Sequence, residues 1–141
     1  MKALVVYYSK GGKTRKVAEA ISTGLECGAL DVGRDACDAA GLDLLVVGSG
    51  TYGGMPGPKI VDFLNGIPAG AGKAAIFATS AGPSPKSIQK IKDILDGKGY
   101  QVVSSFSCRG HFLLANRGHP DEKDLEEAKA FGSDLKKRMG P

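Results

Sequence analysis

The chain has no tryptophan, two histidines and three cysteines among its 141 residues. His111 and His119, with cysteines at 27, 37 and 108, offer no C-x-x-C pair and no ligand spacing. A structural zinc site or a disulfide framework is therefore not expected, and reduced thiols in a cytoplasmic setting are. Also missing is any apolar run near the ~20 residues that cross a bilayer, so no membrane span is expected. Met1-Lys2 leads directly into a strand-like run, without the zones of a signal peptide.

Negative charge is the scarcer sign. Fifteen acidic residues against 19 basic ones leave a net charge of +4. That balance suits an anionic ligand or acidic partners. Nucleic acid is not expected, because no dense Lys/Arg block interleaves with aromatics. Part of the excess, Lys136-Lys137-Arg138, reads instead as a complement to the carboxyl end of a helix.

What the sequence has in quantity is glycine, 21 residues, clustered after apolar runs. A hydrophobic fraction of 42% and a charged fraction of 24% describe one ordinary globular domain over residues 1–141. The run Ala3-Leu4-Val5-Val6 predicts a first strand. Val17, Ile21 and Leu25 then recur every four residues, the stripe of a half-buried helix that Cys27-Gly28 is expected to stop. Residues 29–32 read as a weak strand and 34–40 as a short helix or turn. Leu42 to Gly48 reads as a buried strand that breaks into a loop from Ser49 to Gly57. Pro58 suits the first turn of a helix carrying Ile60, Phe63, Leu64 and Ile67.

Strand Ala74–Ala78, loop Thr79–Pro85 and a helix from Lys86 to Gly97 with Ile88, Ile91 and Leu95 inward come next. Tyr100 to Cys108 alternates partly, as a strand near an edge does. Residues 109–119 show no period. Pro120 and Asp121 open a last helix bearing Leu125, Ala128, Phe131 and Leu135. Five apolar strands alternating with helices imply a parallel sheet covered on both faces. In such sheets the site lies beyond the carboxyl ends of the strands.

Three loops leave from that end. The first, Ser9-Lys10-Gly11-Gly12-Lys13-Thr14, runs from strand to helix start and aims backbone N–H groups and a helix dipole at one point, which suits a phosphate. Gly12-Lys13-Thr14 matches the close of the nucleotide-triphosphate loop G-x-x-x-x-G-K-S/T, but Tyr7 stands where its opening glycine is required. The second loop sets Tyr52 among glycines, where an aromatic has no core to fill, so it either stacks on a planar ligand or folds back to cover its own loop. The third, Thr79 to Ser84, brings small residues and backbone donors.

Together these residues resemble the flavodoxin family in its short-chain form. The first loop is similar to that family's phosphate loop, S/T-x-S/T-G-x-S/T, with Gly11 in place of one hydroxyl. Gly48-Ser49-Gly50-Thr51-Tyr52 is similar to its second loop, G-S-P-T-Y/W. Cys108-Arg109-Gly110 and Gly118-His119-Pro120-Asp121 resemble its last strand and last helix start.

The resemblance implies an α/β three-layer sandwich, a five-stranded parallel sheet of order 2-1-3-4-5, and FMN as cofactor. Ser9, Lys10, Gly11, Gly12, Lys13 and Thr14 would hold the phosphate. Thr51, Tyr52, Gly53 and Gly54 would meet the flavin, Tyr52 stacking on the ring and the following peptide facing N5. Ser80, Ala81 and Gly82 would meet its pyrimidine edge. The implied function is an electron carrier without a catalytic residue or metal of its own, working as a monomer or weak dimer with redox partner proteins. Lys10, Lys13, Arg109 and Arg117, all expected near the flavin end, imply an acidic docking surface on those partners. Two other functions share the sequence features. One is a small FMN oxidoreductase acting on a quinone or porphyrin precursor, with Phe112 and His111 near the flavin. The other is a scaffold that has lost FMN.

Overall fold

The computed structural model describes residues 2–8, 12–35, 39–52, 55–70, 72–80, 85–109 and 122–139. For residues 51, 52, 55, 80, 85 and 107–109 it describes the backbone alone. The elements run β1 (Ala3–Tyr8), α1 (Lys13–Leu25), β2 (Gly28–Asp31), β3 (Leu44–Tyr52), β4 (Met55–Pro56), α2 (Pro58–Gly66), β5 (Lys73–Ser80), α3 (Pro85–Gly97), β6 (Gln101–Arg109) and α4 (Glu122–Arg138).

Five strands pair in parallel in the order β2-β1-β3-β5-β6. This is the expected order 2-1-3-4-5 once the short β4, which pairs antiparallel with β3, is set aside. The strands read as unbroken apolar runs because both faces are covered. Val5, Tyr7, Leu44, Val46, Ala75 and Phe77 pack beneath α1 and α4. Val6, Leu45, Val47, Ala74 and Ile76 pack with Ile60 and Leu64 of α2 and with Ile91 and Leu95 of α3. Burying each such side chain stabilises the fold by about 1.5–3 kcal/mol.

Three sequence expectations need correction. The stop of α1 is Glu26, at φ 60 and ψ 48, rather than a glycine. The Cys27 N–H reaches the Ser22 carbonyl at 3.1 Å and the Glu26 N–H that of Thr23 at 3.3 Å, so a Schellman closure holds the left-handed residue in place. Gly28 is instead the first residue of β2. Residues 32–35 form a turn, one of the two forms expected for the start of this stretch, closed by Arg34 and Asp35 N–H bonds to the Asp31 carbonyl.

The second correction concerns β3, which does not stop at Gly48 but continues through Ser49, Gly50 and Thr51 to Tyr52. Gly48 is small for a packing reason. A Cβ there would lie 1.9 Å from Cζ of Phe77, its partner in register on β5. Finally, Thr79 and Ser80 belong to β5 and not to a loop. Pairing of Thr79 with Gly50 and of Ser80 with Arg109 keeps the strand going. β6 is at the sheet edge, as its partial alternation suggests.

Candidate functional site

Register aligns the carboxyl ends of the strands. Tyr8 is level with Ser49, Gly50 with Thr79, and Ser80 with Arg109. The sheet order reverses between β1 and β3, and α1 starts beside that switch, where open α/β sheets bind ligands.

Gly12, at φ 85 and ψ −5, is the N-cap of α1, and no side chain among the described residues caps the helix. Its positive φ is one that glycine adopts without strain, and its carbonyl accepts the first helical bond from Lys16 at 3.3 Å. The first turn is Lys13, Thr14, Arg15 and Lys16, with no acidic residue. Cations at the positive end of a helix are unfavourable; Arg15 is offset by its ion pair with Glu19 at 2.8 Å, which leaves Lys13 and Lys16. The arrangement becomes favourable when an anion occupies that end. A phosphate therefore fits the residues present.

Thr14 is 3% exposed, and its Oγ1 lies 2.8 Å from Oγ1 of Thr79, itself 4% exposed. This pair ties the start of α1 to the carboxyl end of β5. In the sequence Thr79 opens the third loop but carries no site role of its own. The two residues are 65 apart in the chain, so no local pattern joins them. Only the alternation of β5, which turns Ala75, Phe77 and Thr79 toward α1, could have pointed to it.

The second loop is anchored just as firmly. The buried Ser49 donates its hydroxyl to the Gly50 carbonyl at 2.7 Å and accepts the Gly57 N–H at 2.8 Å. β3 and β4 pair through Thr51 with Pro56 and Tyr52 with Met55, which sets the Thr51 and Tyr52 backbone at the end of the sheet. Lys59, in the first turn of α2, holds its Nζ 5.6 Å from the centroid of the Tyr8 ring, a cation–π distance.

The structure thus brings Gly12, Lys13, Thr14 and the backbones of Thr51, Tyr52 and Ser80 to one end of the sheet. Ser9, Lys10, Gly11, Gly53, Gly54, Ala81 and Gly82 lie outside the described residues, as do His111, Phe112, Arg117 and His119. Tyr7, which breaks the triphosphate motif, is a core residue only 6% exposed. Burial, then the Asp31 carboxylate, raises its hydroxyl above the ordinary pKa.

Elsewhere, a groove of about 700 Å³ between the carboxyl-terminal turns of α1 and α4 is lined by Thr23, Glu26, Lys129 and Lys136. Glu26 and Lys136 pair across it. It lies at the far end of α1 from the loops and shares none of their residues. No group of His, Cys, Asp and Glu among the described residues can hold a metal ion, and none of their helices is long and apolar enough to cross a membrane.

No family model matches the sequence. The chain is 32% identical to the uncharacterized protein MJ0298 of Methanocaldococcus jannaschii, over 97% of its own length and 99% of that protein. Among solved structures it is similar to a flavodoxin from the domain Archaea, with a TM-score of 0.79, 23% identity and full coverage of both chains. It is also similar to oxidised Flavodoxin 2 from Bacillus cereus, with a TM-score of 0.77 and 23% identity over 98% and 99% of the two chains. At these identities the likeness establishes the flavodoxin fold.

Proposed function

We propose, for a chain that belongs to the same family as the Methanocaldococcus jannaschii protein and is built on the flavodoxin fold, the function of an FMN-binding electron carrier. The observation that carries this reading is the start of α1. A positive-φ glycine, a first turn with three basic residues and no acidic one, and a buried threonine hydroxyl converge beside the switch in strand order. The fold supplies the scaffold, and the site must supply the function.

Gly12, Lys13 and Thr14, continued by Ser9, Lys10 and Gly11, hold the phosphate. Thr51 to Gly54 flank the ring system, with Tyr52 stacked on it, and Ser80 to Gly82 meet its pyrimidine edge. FMN, when bound, supplies one- and two-electron redox chemistry, while the protein fixes its place and surroundings. The Ser49 bonds to Gly50 and Gly57 hold the base of the β3–β4 hairpin at a fixed height over the sheet. The excess of basic residues favours partners with an acidic docking surface. The carrier works in the cytoplasm as a monomer or weak dimer.

Two substitutions test the placement of the phosphate. Thr14→Val and Gly12→Val should each weaken FMN binding about tenfold or more in a fluorescence-quenching titration, while circular dichroism keeps the native spectrum. Unchanged affinity in both would mean the phosphate lies elsewhere. Function is tested with the FMN-loaded protein, a reduced nicotinamide and a quinone. A carrier gives no steady turnover without a partner protein, and sustained turnover would make the protein an enzyme instead.

A further inference from the structure

We propose that Thr79 is a positioning residue for phosphate recognition. Its hydroxyl donates to Thr14 Oγ1 and so turns the Thr14 proton outward, toward a dianionic phosphate at the start of α1. The inference rests on the FMN reading above and assigns a role to a strand residue that lies outside the phosphate loop.

The two hydroxyls are 2.8 Å apart, and either atom can be the donor. Both residues are at least nine-tenths buried, so neither exchanges its partner freely with water. Two arrangements are open to such a pair. With Thr14 donating to Thr79, Thr14 presents only lone pairs to the helix start, and a dianionic phosphate, which only accepts, is repelled. With Thr79 donating, Thr14 keeps its proton for the phosphate, and the two bonds polarise one another in series. A bound dianion selects the second arrangement. Thr79 then has one role at the site, to supply the proton that occupies the Thr14 lone pair.

The sheet is built to allow this reach. Ala75, Phe77 and Thr79 of β5 face α1, as do Leu44 and Val46 of β3. By the same alternation Gly48 and Gly50 present no side chain between β1 and β5. The Phe77 ring fills the space over Gly48, where a Cβ would meet it at 1.9 Å. Gly50 is the in-register neighbour of Thr79, so the path from α1 across β3 to Thr79 is left open at that level.

The test is affinity for FMN relative to riboflavin, which lacks the phosphate, measured on wild type, Thr79→Val and Thr79→Ser. Thr79→Val keeps the β-branched shape and removes the hydroxyl. It should lower FMN affinity about tenfold, the size of one lost hydrogen bond to a charged network, and leave riboflavin affinity unchanged. Thr79→Ser should restore the wild-type ratio. In a Thr14→Val background, Thr79→Val should cause no further loss of the FMN-to-riboflavin ratio, because its effect passes through Thr14.

Equal losses for both ligands, or an unchanged ratio in Thr79→Val, would overturn the role of Thr79. A wild-type chain with no preference for FMN over riboflavin would overturn the phosphate cradle itself, and the proposal with it. The two failures are distinguished by the wild type alone.

Discussion

Thr79 and Gly48 are the residues whose roles no local pattern discloses. Gly48 reads as the end of a strand, because glycine after an apolar run is ordinarily punctuation. In the fold it is a mid-strand residue whose missing side chain makes room for a ring on the neighbouring strand. Thr79 reads as loop for the same kind of reason, a polar residue at the close of an apolar run. The residues that were legible carry a local backbone signature. Gly12 needs positive φ at a helix start, and Pro58 opens α2 as its type suggests. Gly48→Ala should therefore behave as a core lesion rather than a loop change. The added methyl meets Phe77, and overpacking of this kind costs about 1–3 kcal/mol. A urea unfolding series would measure it, with Phe77→Leu in the same chain recovering part of the loss. A Gly48→Ala protein as stable as wild type would mean that the ring moves aside at little cost.

At the scale of elements, helix stripes were the easiest features to read. Val17, Ile21 and Leu25 of α1 and Ile91 and Leu95 of α3 are buried as their spacing demands. What spacing does not reveal is how closely two helices approach. α1 and α4 cross backbone to backbone. A Cβ on Gly24 would stand 2.0 Å from the Lys129 carbonyl oxygen, and one on Gly132 would stand 2.2 Å from that of Ile21. Ser133 adds a hydroxyl bond to the Gly24 carbonyl at 3.4 Å. Here the obstacle is rigid backbone, so relief requires moving a helix. Gly24→Ala and Gly132→Ala should each destabilise by about 1–3 kcal/mol or more in denaturant unfolding. Their FMN-to-riboflavin preference should stay near wild type, because the crossing lies at the far end of α1 from Thr14. A change in that preference without loss of stability would contradict this separation of roles.

For the molecule as a whole, the alternation of strands and helices was enough to give a parallel sheet covered on both faces, and the site end followed from it, while the order 2-1-3-4-5 came from the resemblance to the flavodoxin family. The strand ends did not follow, since pairing across the sheet, and not composition, carries β3 to Tyr52 and β5 to Ser80. Protonation is also a property of the whole fold. Burial pushes the Cys27 thiol from its ordinary 9.0 up to about 11, and burial raises Tyr7 and Tyr100 as well. All three groups are neutral when protonated, so the native state keeps protons that the unfolded chain releases. Stability is then complete below the ordinary thiol value and falls as pH rises from 9.0 toward about 11. Urea midpoints at about pH 8 and about pH 10 should show that decline, and Cys27→Ala should flatten part of it. A midpoint that rises with pH over this window would reverse the sign.

The central claim, that the loops at the carboxyl ends of β1, β3 and β5 hold FMN, meets its most direct test in flavin analysis of the purified protein. The expected result is a yellow protein with an absorbance band near about 450 nm, from which acid releases one FMN per chain and no other flavin. A colourless protein that stays colourless after incubation with excess FMN would contradict it.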